Sequence, residues 1–357
     1  MDRPALPSGS IVRGRATAGQ GSLEPVLEVE DLQTYFYTRA GLVKAVDGVS
    51  FSLQRGETLA IVGESGCGKS VTALSLMRLV ADPPGRIVGG TVRLDGVDLL
   101  GLEAAAMRQV RGKEISMIFQ EPMTSLNPVM TIGRQISEAL ILHGARSRQD
   151  ARARTLDMLQ LVGIPEPSQR VKEYPHQLSG GMRQRAMIAM ALACSPKVLI
   201  ADEPTSALDV TIQAQILDLM AGLRRKLGTA MIMITHDLGV VAETADRVIV
   251  MYAGRKVEEA SVDELFGEPL HPYTRGLMRS IPRLALMRQG TAAAGRLQEI
   301  PGTVPALSAL PRGCAFAPRC ALASDICRRE YPRYEAKRAG HWAACWHSDR
   351  LGGAAHD

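Results

Sequence analysis

Aromatic side chains are scarce in this chain, 4% of 357 residues, although 46% of residues are hydrophobic. Its core must therefore be built from small and flexible groups, with 16 Met and abundant Ala supplying much of the volume. Long apolar runs are missing as well. The best, Ala186–Cys194, is about half of the roughly 18–20 residues that a bilayer crossing needs, and it stops at Ser195-Pro196-Lys197. Any membrane role is therefore expected to come through partner chains. Met1–Ser22 is rich in Pro, Gly, Ser and Arg and has no apolar centre, so residues 1–24 read as a flexible cytosolic tail rather than a signal peptide. No internal repeat and no CxxC pair is present. The net charge of +5 is too small to argue for nucleic acid, and it is uneven. Residues 271–357 hold 13 Lys and Arg against 6 Asp and Glu, a surplus that reads as a solvated basic face near lipid headgroups or a partner chain.

What is present is a succession of short apolar runs. Leu27–Leu32 alternates like a strand, and Gly89–Leu99 reads as strand, turn and strand through Asp95-Gly96. Buried strands are expected at Thr58–Val62, Ile115–Phe119, Val198–Ala201, Ala230–Thr235 and Arg247–Met251, several of them separated by helical patterns. The pattern predicts a mainly parallel α/β sheet with an antiparallel portion near the start. Strand signals vanish between Thr131 and Tyr174, where a helical lobe is expected, and from His271 onward Pro, Arg and Cys mark an accessory segment.

Between the strand at Thr58–Val62 and the helical run Val71–Leu79 lies Gly63-Glu64-Ser65-Gly66-Cys67-Gly68-Lys69-Ser70, which fits GxxxxGK[ST]. Glycines at these positions let backbone N–H groups turn inward around a β-phosphate, helped by the helix N-terminus. Lys69 is a point charge for the β- and γ-phosphates, the Ser70 hydroxyl can ligate Mg²⁺, and Cys67 reads as a small neutral residue. The run Val198-Leu-Ile-Ala-Asp202-Glu203 is a buried strand that ends in two acids. Asp202 stands where it can hold the Mg²⁺ shell, and Glu203 where it can orient or deprotonate the attacking water.

Leu178-Ser179-Gly180-Gly181-Met182-Arg183-Gln184-Arg185 resembles the signature motif of ATP-binding-cassette (ABC) ATPases. Its neighbours match in order: Gln120 resembles the Q-loop, Ser206-Ala207-Leu208-Asp209 the D-loop, and His236 the switch histidine. The resemblance implies that Ser179, Gly180 and Gly181 grip the γ-phosphate of ATP held by another subunit. It further implies that Gln120 joins the Mg²⁺ and water, that His236 contacts the γ-phosphate and helps Glu203, and that Asp209 belongs to the nucleotide site. An aromatic stacking on adenine belongs after the first strand, and Phe36 fits best by spacing, flanked by Tyr35 and Tyr37.

The finer resemblance is to the D-type ATPase of oligopeptide and dipeptide importers, relatives of which also handle nickel complexes. It is carried by Ala45–Ser50, Ile61–Leu79, Phe119–Pro128, Ile200–Leu219 and the His271-Pro272-Tyr273-Thr274 that opens the C-terminal extension. It implies a P-loop cassette over 25–270, with a RecA-like mixed sheet and a helical lobe at about 122–182, followed by a small Cys-rich accessory domain over 271–357. The implied activity is ATP hydrolysis at the cytoplasmic face of the cell membrane, driving peptide uptake. The implied partners are an F-type companion ATPase, two transmembrane permease subunits and an extracytoplasmic solute-binding protein, with no nucleic acid.

Cys314, Cys320, Cys327 and Cys345 are spaced x5, x6 and x17. Four thiolates suit tetrahedral Zn²⁺ or a 4Fe–4S cluster. Members of the resembled family can carry a 4Fe–4S cluster here, so the resemblance implies iron–sulfur. His341 and His347 are possible substitute ligands but are expected at the surface, and Trp342 and Trp346 are expected to cover the site.

Overall fold

The structure is a computed structural model that describes residues 24–120, 125–206, 209–280 and 300–351. Outside them lie the expected tail up to residue 23, Ala207 and Leu208 of the D-loop, residues 121–124, residues 281–299 and the last six residues.

The chain opens with a long antiparallel pair, β1 (Leu27–Thr38) and β2 (Gly41–Leu53). Strands β4 (Gly85–Leu94) and β5 (Val97–Asp98) complete a four-stranded sheet in the order β2-β1-β4-β5. Asp95 and Gly96 both take positive φ between Leu94 and Val97, as a two-residue hairpin turn twisted to suit its strands requires. Sequence reading missed β2, because its outer residues are exposed and Lys44, Asp47 and Gly48 break the apolar alternation.

The second sheet has eight strands. Its centre is parallel, in the order β9 (Arg247–Tyr252), β3 (Thr58–Val62), β8 (Ala230–Ile234), β7 (Val198–Asp202) and β6 (Ile115–Ile118). Strands β3, β6, β7 and β8 are buried at every residue, the mark of parallel strands covered on both faces. One face packs against the first sheet and α1 (Lys69–Leu76), through Leu59, Ile61, Ile200, Ile232 and Leu76. The other carries the helical lobe: α3 (Ile132–Leu142), α4 (Arg148–Leu161), the short α5 (Pro167–Arg170) and α6 (Gly180–Leu192), α2 being Ala104–Val110. Ile136, Leu140, Leu159 and Met187 from these helices share a core with Leu199, Met231 and Met233 of the sheet. Thr131, Ser147 and Ser179 cap α3, α4 and α6 by accepting the first-turn amides of Arg134, Asp150 and Met182.

After β7 come α7 (Val210–Leu227), α8 (Leu238–Thr244), β10 (Arg255–Ser261), α9 (Val262–Gly267) and α10 (Pro272–Arg279). The last elements are α11 (Asp325–Arg329), β11 (Glu335–Arg338) and β12 (His341–Ala343). Strand β12 pairs antiparallel with β10, so the C-terminal segment extends the eight-stranded sheet. Ala315, Phe316 and Tyr273 share a core with Ala60, Val62, Val250 and Tyr252 of the central strands.

His341, expected at the surface, is instead buried: its Nε2 lies 2.8 Å from Oε1 of the equally buried Glu258 on β10, whose carboxylate also accepts the Leu270 and His271 amides. The neighbouring Glu259 is buried too, paired with Arg247 and Lys256. Two adjacent buried carboxylates explain why the run Arg255–Ser261 does not read as a strand.

Candidate functional site

The phosphate loop joins β3 to α1. Gly63 and Gly68 have φ of 153° and 106°, and a Cβ built on them would stand 2.3 Å from the Met251 carbonyl and 2.2 Å from the Ala45 carbonyl. Both the backbone conformation and the space therefore demand glycine. The buried Lys69 turns back into the loop, its Nζ donating to the carbonyls of Gly63 (2.8 Å) and Glu64 (3.1 Å). Cys67 is fully buried beneath it, and burial pushes its thiol pKa up. Gly66 also takes positive φ, and Ser65 completes the loop.

Strand β7 ends beside this loop. Ser70 Oγ donates to Asp202 Oδ1 at 3.1 Å, so the two groups expected around a divalent cation are already neighbours. Burial raises the Asp202 carboxyl pKa, Glu203 raises it further, and the Ser70 hydrogen bond opposes the shift. A cation bound there would favour the ionised carboxylate. Glu203 takes φ 45°, a left-handed conformation that is costly for a side chain of this kind and that sits where the strand gives way to the next loop. Its carboxylate is gripped on both sides: Gln120 Nε2 donates to Oε2 at 2.9 Å, and His236 Nδ1 lies 3.2 Å from Oε1. Two residues from two other strand ends thus meet on one acid, next to the Ser70–Asp202 pair.

The signature lies elsewhere. Ser179 and Gly180 are exposed at the N-terminus of α6, whose first-turn amides and dipole suit an anion. Gln184, almost fully buried, donates to the Pro204 carbonyl and so ties this helix to the segment that follows Glu203. Asp209 caps α7 by accepting the Ile212 amide at 3.0 Å. Phe36 is half-buried on β1, opposite Gly85 of β4. It shares a strand face with Thr34, whose hydroxyl meets that of Ser75 on α1 at 2.7 Å. Tyr35 points to the other face, where its hydroxyl donates to Asp47 at 2.6 Å, and Tyr37 is 59% exposed.

The four C-terminal cysteines, though spread over 32 residues, line one small cavity with His271, Phe316, Trp346 and His347. No disulfide joins them. Burial pushes the Cys314 thiol pKa up to about 11 and raises those of Cys320 and Cys345. Backbone amides work against that: those of Phe316 and Ala317 act on Cys314, that of Leu322 on Cys320 and that of His347 on Cys345. Among the described residues no group of three or more His, Cys, Asp or Glu stands close enough to hold a metal ion, so the expectation of a formed metal site is not met. His347 meets Ser324 at 2.8 Å, Trp346 donates to the Glu330 carbonyl, and Trp342 lies on β12 opposite Glu259.

A further set of contacts escaped the sequence. Arg319 forms a two-pronged ion pair with Glu64 of the phosphate loop, at 2.6 and 3.0 Å, and the Glu64 amide donates to the Tyr273 hydroxyl at 2.7 Å. The motif His271–Thr274 and the Arg before Cys320 were visible signals, but nothing local named their target.

Comparison with known proteins agrees with this geometry. Residues 46–206 match the ABC transporter family, and residues 257–327 match the C-terminal region of the oligopeptide/dipeptide transporters. The chain is 57% identical over 326 residues to a probable peptide ABC transporter ATP-binding protein of Sinorhizobium fredii, covering 91% of this chain and 96% of that one. It is 53% identical over 324 residues to the oligopeptide transport ATP-binding protein AppD of Bacillus subtilis, covering 91% and 97%. Among solved structures it is similar to a dimeric ATP-binding cassette in a post-hydrolysis state bound to ADP and Pi, with TM-score 0.59 and 28% identity over 66% of this chain and 98% of that one. The fold is that of an ATP-hydrolysing cassette. The chain belongs to the ATP-binding proteins of ABC transporters, in the branch that carries the oligopeptide/dipeptide transporter C-terminal region.

Proposed function

We propose that this chain energises peptide import from the cytoplasmic face of the cell membrane. The observation that carries this reading is the Glu203 carboxylate held between Gln120 and His236, beside a phosphate loop whose Ser70 already meets Asp202. The loop amides of residues 63–70 and the Lys69 ammonium bind the triphosphate of ATP, and Phe36 stacks on adenine. Ser70, Gln120 and Asp202 would hold Mg²⁺, which when bound would supply positive charge beside the phosphates. Glu203 orients and deprotonates the attacking water, and His236 steadies the carboxylate and reaches the γ-phosphate. Ser179 and Gly180, exposed on a helix N-terminus, and the half-buried Gly181 beside them grip the γ-phosphate bound by a second cassette, with Asp209 near the same junction.

The cassette occupies 25–270, with its helical lobe at about 122–182, and 271–357 forms a small Cys-rich accessory domain whose core is continuous with the cassette. Cys314, Cys320, Cys327 and Cys345 hold a 4Fe–4S cluster. Support comes from their sharing one cavity, where backbone amides partly offset the burial that raises the pKa values of three of the thiols.

The transporter pairs this chain with an F-type companion ATPase, on two permease subunits fed by a solute-binding protein. The peptide relatives favour peptides over nickel complexes as the solute. Co-expression with the candidate partners and subunit mass analysis test the assembly. One copy of this chain with one companion and two permeases is expected. Two copies with no second ATPase would overturn the pairing.

A further inference from the structure

Glu64 is the second residue of the phosphate loop, and each of its polar groups is engaged. Its carbonyl accepts the Lys69 ammonium, its amide donates to Tyr273 Oη, and its carboxylate is clamped by Arg319. Tyr273 and Arg319 lie 209 and 255 residues away in sequence. Both are buried, and each is held by its own surroundings. Tyr273 packs against Tyr252 and Phe316. Arg319 donates from Nε to the Pro301 carbonyl at 3.0 Å and stands over the Tyr252 and Phe316 rings.

A carboxylate in this loop is an electrostatic liability. Glu64 shares the cradle with Lys69, so an unneutralised charge there would repel the triphosphate that the loop must bind. Arg319 compensates that charge and aims the side chain toward the C-terminal segment through a two-pronged ion pair. Arg319 is also the residue before Cys320, at the end of the short 3-10 turn Ala317–Arg319 beside the cysteine cavity.

We infer that Arg319, seconded by Tyr273, is a positioning residue for ATP: it neutralises Glu64 and holds the phosphate loop open to the nucleotide, so that the C-terminal segment sets the loop's affinity. This rests on the reading of residues 63–70 as the ATP site.

The test measures turnover against ATP concentration in the assembled transporter. Arg319→Met is expected to raise the KM for ATP about tenfold while kcat stays within about twofold, because the exposed Glu64 charge opposes binding. The double variant Arg319→Met/Glu64→Gln is expected to return KM to within about threefold of wild type, since the liability itself is gone. An Arg319 that served only packing would not be rescued by a change at Glu64, so an unrescued KM, or a KM unchanged in Arg319→Met, overturns the inference. If Arg319→Met does not assemble, Arg319→Gln decides, because it too removes the cation while keeping a polar side chain. A KM raised about threefold or more supports the role, and a KM equal to wild type overturns it. Lys69→Ala separates the two levels: if it still binds ATP as wild type does, the ATP-site reading falls, whereas loss of binding there with an unchanged KM in the Arg319 variants sinks only the clasp.

Discussion

The ATP site and the cysteine cavity are built on opposite principles. At the ATP site the polar groups sit at the ends of fully buried parallel strands: Gly63 follows β3, Gln120 lies just past β6, Asp202 ends β7 and His236 lies just past β8. A rigid sheet delivers them to one edge, and hydrogen bonds of 2.9–3.2 Å between charged or polar groups finish the placement. The cavity is lined from a 3-10 turn, a five-residue helix and irregular chain, and burial opposes ionisation of three of its four thiols. The first region is organised for a ligand that comes and goes, whereas the second gathers two buried and two half-buried cysteines around a small cavity. The two meet at Glu64, where Arg319 crosses from one to the other.

The largest effect on turnover that would sharpen this contrast is expected from Ser179→Arg. On the proposed function, the bulky cation would fill the exposed N-terminal end of α6 and act on the nucleotide of a second cassette rather than on this chain's own loop. Turnover of the assembled transporter should drop about 100-fold, while a nucleotide-binding titration of this chain alone should match wild type. Weakened binding in the isolated chain would mean that the signature acts on its own site, and would erase the division between half-sites.

A smaller effect on turnover is expected from Cys320→Ser. Protein purified without oxygen should carry about four irons and four sulfides per chain, which the substitution removes. The melting temperature should fall, and turnover should stay within about threefold of wild type, because the groups proposed to meet the phosphates lie outside the cysteine cavity. Stoichiometric zinc with no iron would replace the cluster, and a turnover loss as large as that of Ser179→Arg would make the two regions one machine.

The contrast also explains what could be read from the sequence. Gly63–Ser70 is contiguous, and the apolar strand before it and helical run after it can be seen in the same thirty or so residues. Asp202 and Glu203 are legible because a buried apolar strand runs straight into them. Strand β10 was not, because Glu258 and Glu259 are buried only by virtue of His341, Arg247 and Lys256, partners that lie outside its own run. The grip of Arg319 on Glu64 was hidden for the same reason. A contact across 255 residues leaves no periodicity, and only the folded sheet brings its two ends together.

The central claim, that Glu203 is the group that activates water for ATP hydrolysis, is tested most directly by Glu203→Gln in the assembled transporter. Glutamine keeps the shape and can still hydrogen-bond to Gln120 and His236, but it cannot take a proton from water. Steady-state ATP turnover should fall by about 100-fold or more, while ATP–Mg²⁺ binding measured by titration should match wild type, because affinity resides in the phosphate loop. A turnover rate close to wild type would contradict the assignment and remove Glu203 from the reaction.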